Sequence, residues 1–334
     1  MPSSSKRSPL PAAAEGIWAA NDRLARTINL GLGFDPSSRR WGVELTEEHF
    51  DLCAEAGFTA VRLLVDFASQ AQPGSPYRIR PELLDRVAWS MEQASRRGLA
   101  LAVCNFVYPD LMADPASHKD RLLAIVEQIS ARCQDAPGTV ILEPLAEPHD
   151  NLDPVWNRYL ADIVAVVRDR HPTRPLIVGP AFYNTVLGLP SLELPDDDPN
   201  LIVTIHQYWP IEFTFQGEEW FTRGDPKAWL GNTWQGDRSQ RQELDAGFAK
   251  LADWARSHGR PVFMGEFGTT NHADMPSRVR WTLANRVLAE KHGFSWGCWS
   301  FGPTYALYDH QARRWHHDLL AALFSESPDE QNHR

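Results

Sequence analysis

The chain has no run of eighteen apolar residues, no CxxC pair, no block of basic residues and no glycine-rich phosphate turn. Without the apolar run, nothing here reads as a membrane span. The first residues, Met1 to Gly16, carry Lys6 and Arg7 but no apolar stretch of signal-peptide length, so the expectation is a soluble protein, cytoplasmic or a secreted mature form. Four cysteines, Cys53, Cys104, Cys133 and Cys298, are scattered with no Cys/His cluster beside them. Zinc and redox motifs are therefore unsupported, and buried free thiols are expected. Acids outnumber bases by 43 to 33, and the net charge of −10 is interspersed along the chain. Nucleic acid and anionic membranes both want a basic face, so neither is an expected partner. No motif calls for a metal or an organic cofactor, and no obligate protein partner is evident.

What the chain does have is room for a large core. Of its 334 residues 43% are hydrophobic and 23% charged, which excludes a disordered tail. Short apolar runs recur near Thr27–Gly31, Ala60–Val65, Leu99–Asn105, Val140–Leu145, Leu176–Gly179, Ile202–His206, Val262–Gly265 and Phe294–Trp299. Between them lie stretches with apolar residues at three and four, such as Glu47–Ala56, Glu82–Arg97, Arg121–Cys133, Val155–Arg170, Glu243–Ser257 and Ser277–Lys291. Glycines at 57, 98, 259 and 293 punctuate helix ends. Eight strand–helix units in succession predict a single (β/α)₈ barrel over 17–325, between flexible segments 1–16 and 326–334. The doubly wound open sheet competes, but Gly31-Leu32-Gly33-Phe34 lacks its third glycine. Long insertions at Ala181–Asn200 and Trp209–Arg238 belong on the face where such barrels keep their sites.

Two glutamates then stand out. Glu147, in Leu145-Ala146-Glu147-Pro148-His149, is placed at the end of strand four, and Glu266, in Met264-Gly265-Glu266-Phe267-Gly268, at the end of strand seven. Carboxylates facing each other across a barrel mouth are equipment for glycoside hydrolysis, and a retaining mechanism wants them ~5–5.5 Å apart. Burial and like charge should hold one protonated while the other stays ionised. Arg62, inside strand two, needs a carboxylate partner if it is buried, and its natural task is to keep the nucleophile charged. His206 and Tyr208 flank the end of strand six and can hydrogen-bond a carboxylate or simply pack there. Trp299, one of thirteen tryptophans, offers a flat apolar face to a sugar ring.

On these landmarks, together with Gly57-Phe58-Thr59-Ala60-Val61-Arg62, Trp41-Gly42, His206-Gln207-Tyr208 and Trp296–Trp299, nearly the whole chain resembles glycoside hydrolase family 5. The resemblance implies Glu147 as acid/base, Glu266 as nucleophile and a β-linked glucan or mannan-type oligosaccharide as substrate. It also exposes departures. Ala146 stands where the family has the asparagine that bonds the sugar 2-hydroxyl, and Phe106-Val107 replaces a His-His pair. Asp66-Phe67 replaces Arg-Trp, and Leu32, Trp209, Phe215 and Ser300 stand where relatives carry polar groups. Such exchanges suggest a pocket remodelled, as in a designed enzyme, for a planar aromatic small molecule. Under that second reading Asp66, Glu147 or Glu266 is a general base of the Kemp-elimination kind, its pKa raised in a dry aromatic pocket.

Overall fold

The computed structural model describes residues 12–31, 44–106 and 108–325. Eight parallel strands close into one barrel in chain order: β1 (Arg26–Leu30), β2 (Ala60–Val65), β3 (Ala100–Asn105), β4 (Val140–Glu143), β5 (Leu176–Val178), β6 (Leu201–Gln207), β7 (Val262–Phe267) and β8 (Ser295–Cys298). β8 returns to pair with β1, as Ile28 meets Cys298, so the sheet has no free edge and the open-sheet alternative is excluded. A short antiparallel pair, β9 (Tyr308–Asp309) with β10 (Arg314–Trp315), follows before a last helix at His317–Phe324.

Strand residues point alternately into the barrel and out to the helices, and the sequence obeys this period of two. Val61, Leu63 and Val65 face the helical belt, while Ala60, Arg62 and Leu64 alternate with them and line the interior. The interior is consequently layered. At the bottom Ala60, Ala100, Ala102, Ile141, Ile177, Ile202 and Phe263 pack against Ile17 and Ala20, from a helix at Ala12–Asp22 that plugs the barrel floor, and against Leu24 just after it. That helix starts ahead of the boundary read at residue 17, because an alanine-rich stretch has high helix propensity and the turns after it have an apolar floor to bury against. The middle layer is charged, holding Arg62 and Glu143. The top layer is a small apolar cluster of Leu64, Cys104 and Ala146 with Phe106 and Trp299 packed on it.

The outer helices follow their punctuation. Asp114, Asp237 and Asp274 each accept a hydrogen bond from the first-turn backbone of the helix they precede, and Gly259 closes the helix Arg238–His258 in the left-handed region at φ 61°. β4 stops at Glu143 because Pro144 brings no N–H to the ladder, so Glu147 lies four residues past the strand rather than at its end.

β7 carries the irregularity that shapes the mouth. Its ladder with β6 pairs Ile205 with Met264 but His206 with Glu266, so Gly265 is an extra residue, a bulge that re-aims Glu266 beside His206. A Cβ at Gly265 would land on Thr204 Oγ1 and lie 3.4 Å from His206 Nε2. Gly265→Ala should therefore destabilise the fold by about 1–3 kcal/mol through overpacking. Gly247→Ala is the converse, since Gly247 sits within the helix Arg238–His258 with open space around its Cα. It should stabilise by about 1 kcal/mol. Denaturant midpoints of the two variants should move in opposite directions, and equal shifts would contradict the bulge.

Candidate active site

The middle layer supplies the site's foundation. Arg62 is completely buried, and each of its five N–H donors has a partner. Nε and Nη2 grip Glu143 at 2.6 and 2.8 Å, and Nη1 reaches Asn29 Oδ1 at 2.8 Å and Glu266 Oε1 at 2.6 Å. The last donor faces Cys104 Sγ at 3.4 Å. Asn29 in turn donates to the carbonyls of Gly265 and Cys298, tying β1 to β7 and β8 directly beneath the bulge. Glu143 was not among the residues singled out from the sequence. The signal was present, a carboxylate closing the buried run Val140-Ile141-Leu142 on the inward register shared with Ile141.

Above this layer Glu266 is buried, with Arg62 on one oxygen and the Tyr208 hydroxyl donating to the other at 2.9 Å. Burial by itself would raise its pKa, but His206, Arg62 and the hydrogen bonds from Arg62 and Tyr208 outweigh it, so its pKa is lowered. His206 Nδ1 lies 2.7 Å from Glu147 Oε1 and 3.6 Å from Glu266 Oε2. Burial pulls its pKa down, yet the two carboxylates win and its pKa is raised. Tyr208 is driven well above its usual value by burial and by both glutamates, and stays a donor. One donor atom each from Glu147, His206 and Glu266 falls within 4.8 Å of the others.

Glu147 is held differently. The turn that carries it is fixed from β3, where Asn105 accepts from Ala146 N–H through its carbonyl and donates its amide to Pro144 O. Its own backbone is left-handed, at φ 51°, a conformation that costs a non-glycine residue roughly 1–2 kcal/mol. Its side chain is 27% exposed against 4% for Glu266, so one carboxyl faces the opening and the other is sunk beneath it.

Of the remaining sequence candidates, Ala146, Phe106 and Trp299 form one apolar wall of the mouth, the two rings 5.8 Å apart. Phe215 packs on Tyr208 at 5.0 Å and supports it from the side. Trp209 sits on the outer rim, its indole bonded to Glu243 at 2.9 Å, and Asp66 caps the backbone of Ser69 at 3.0 Å. Neither joins the carboxylate cluster. Leu32, Trp41, Gly42 and Val107 lie outside the described residues. Glu266 does not meet the expectation of a carboxylate raised in a dry aromatic pocket, since His206, Arg62 and Tyr208 lower it, and Asp66 caps a turn away from the cluster.

The arrangement pairs an ionised, immobilised carboxylate with a more accessible one across a cleft, walled on one side by aromatic rings. Comparison with known proteins gives it a family. The sequence model of the cellulases, glycosyl hydrolase family 5, matches residues 26–304, most of the chain. The chain belongs to glycosyl hydrolase family 5. Among curated family relatives it is 28% identical to Endoglucanase H of Acetivibrio thermocellus over 91% of this chain and 33% of that protein. It is 24% identical to Cellodextrinase A of Ruminococcus flavefaciens over 82% of this chain and 84% of that one. The chain thus spans about a third of the length of the first of these. Thermotoga maritima Cel5A in complex with cellobiose superposes with a TM-score of 0.89 at 36% identity, covering 92% of this chain and all of that one. The same protein with mannotriose matches at 35%. No helix among the described residues is long and apolar enough to cross a membrane.

Two outcomes test this family-5 site. Glu143→Ala leaves Arg62 buried with one carboxylate fewer, and should cost about 3–5 kcal/mol in unfolding free energy by denaturant titration. The second concerns pH. A raised His206 pKa contributes stability that is complete below the ordinary histidine value of 6.5 and lost as pH rises through the raised value. The melting-temperature gap between the parent chain and His206→Gln should therefore narrow as the pH is raised above the ordinary histidine value of 6.5. A gap that widens would show that His206 is not held as a cation.

Proposed function

We propose that the protein is a retaining β-glycoside hydrolase acting on β-linked glucan or mannan-type oligosaccharides, with Glu266 as nucleophile and Glu147 as acid/base. The observation that carries this reading is the separation of the two carboxyls, whose nearer oxygens fall within 4.8 Å. That favours retention, for which ~5–5.5 Å is typical, over inversion, which needs ~6.5–9.5 Å to admit a water. The environments divide the labour. Glu266, lowered and aimed by Arg62 and Tyr208, suits attack on the anomeric carbon. Glu147, nearer solvent, suits delivery of a proton to the departing oxygen, after which its carboxylate takes a proton from the water that hydrolyses the glycosyl-enzyme.

Arg62, His206 and Tyr208 act in support. As the glycosyl ester forms, Glu266 loses its charge, and the Arg62 guanidinium remains balanced by Glu143. The Phe106–Trp299 wall gives a sugar ring an apolar face, with Ala146 behind it adding no hydrogen bond. The substrate range draws support from relatives of this chain, described as endoglucanase and cellodextrinase, and from the Thermotoga protein complexed with both cellobiose and mannotriose.

The test is hydrolysis of cellotetraose and mannotetraose followed by proton NMR of the first-formed anomer. The β-anomer is expected first, and an α-product would overturn the retaining assignment. Glu266→Ala and Glu147→Ala should each lower kcat on these substrates by on the order of 10³-fold. On 2,4-dinitrophenyl β-cellobioside, whose aglycone leaves without a proton, azide should restore turnover to each, giving the α-glycosyl azide with the first and the β-azide with the second.

A further inference from the structure

Glu147 is not the only left-handed residue at the mouth. Phe182, Tyr183 and Asn184, just past β5, take φ of 58°, 60° and 55° in succession. Residues other than glycine visit this region singly and only where the surroundings hold them, and such outliers gather at functional sites. Here the strained segment and the strained glutamate are fastened to each other. Asn184 is fully buried between a backbone carbonyl and a backbone N–H, which assign its amide so that the nitrogen donates to Pro180 O at 2.9 Å and the oxygen accepts from Glu147 N–H at 3.1 Å. Tyr183 N–H donates to Pro148 O at 3.0 Å. The His149 ring stacks on Tyr183 with centroids 4.0 Å apart, and the Arg223 guanidinium covers the same ring while pairing with Asp150. Residues 147 to 150 are each met by a partner. Gly179 makes the space, since a Cβ there would fall on the Asn184 amide.

We propose that the left-handed turn Phe182–Asn184 is a clamp that aims the Glu147 carboxyl, with Asn184 as its positioning residue. This rests on the reading of Glu147 as acid/base. Asn184 binds the backbone N–H of Glu147, so it fixes the glutamate's φ, while His206 Nδ1 holds the carboxyl at 2.7 Å. With the N–H released, Glu147 can relax to an ordinary negative φ, which swings its Cβ away from His206 and the leaving group. Asparagine suits the place because its short amide both donates and accepts and its backbone tolerates the left-handed region.

Leaving groups that differ in their need for a proton separate aiming from mere folding. On the full chain, kcat/KM is measured for phenyl β-cellobioside, whose aglycone must be protonated, and for 2,4-dinitrophenyl β-cellobioside, whose aglycone leaves unaided. Asn184→Ala should lower the phenyl value by about 10- to 100-fold, as a misplaced catalytic group does, and the dinitrophenyl value by no more than about 3-fold. Asn184→Gly keeps the left-handed turn without steric cost but removes the amide, and should behave like the alanine variant. It also carries the test if Asn184→Ala does not fold. Equal losses on both substrates, or wild-type values in the glycine variant, would overturn the clamp. Glu147→Ala run alongside separates the two claims. If it loses both substrates equally, the acid/base assignment fails and the clamp with it. If it shows the leaving-group split and Asn184→Ala and Asn184→Gly do not, the clamp alone fails.

Discussion

A guanidinium cannot be deprotonated at any pH the protein meets, so a buried one must be surrounded by partners or expelled. Arg62 is buried, and the barrel is built around meeting that demand. Glu143 from β4 takes two of its donors, Glu266 from β7 and Asn29 from β1 take one each, and Cys104 from β3 faces the last. Four strands besides its own are thereby tied to one planar group at one height in the barrel. Removing any partner leaves a charge or a donor uncompensated in a region that water does not reach. The cation also joins His206 in lowering the pKa of the carboxylate above it, Glu266, against the burial that would raise it.

Stacked on that layer, the rest of the site is a matter of graded restraint. Glu266 sits on a strand, directly after a bulge, with a donor on each oxygen. Glu147 sits on a turn, where among the described residues its backbone and one imidazole hold it. Under the proposed roles this grading has a reason, since a nucleophile must keep one position, whereas a group that first gives a proton and later takes one benefits from access to solvent. The left-handed turn after β5 gives the looser residue a backbone anchor without covering its carboxyl.

How much of this was legible beforehand depended on how local the cause was. The eight strands were readable because most are short runs of β-branched and apolar residues, as parallel strands buried on both faces require. Arg62 was readable because Val61 and Leu63 on either side of it are apolar. Glu143 was passed over because it lies inside the run Val140–Leu145, read as apolar strand, while attention went to the glutamate beyond that run. Asp66 was overrated for the opposite reason. A carboxylate after Leu63-Leu64-Val65 could enter the mouth or cap the next turn, and only the path of the chain decided for the turn. The end of β4 was placed too late because the apolar Leu145 continues the pattern after Pro144 has broken the ladder.

The sequence by itself determined the single-domain barrel and the family, since these depend on periodicity along the chain and on residue types next to one another. It also carried the apolar exchanges at Phe106 and Ala146, which reappear as one cluster. Only the tertiary structure decided which carboxylate is clamped by Arg62 and which faces solvent, that Glu143 shares the same cation, and that Asn184 reaches the backbone of Glu147. Those relations join residues tens to hundreds of positions apart. They arise from inward register, a one-residue bulge and three left-handed residues, and side-chain pattern along one strand carries no record of what stands across the barrel.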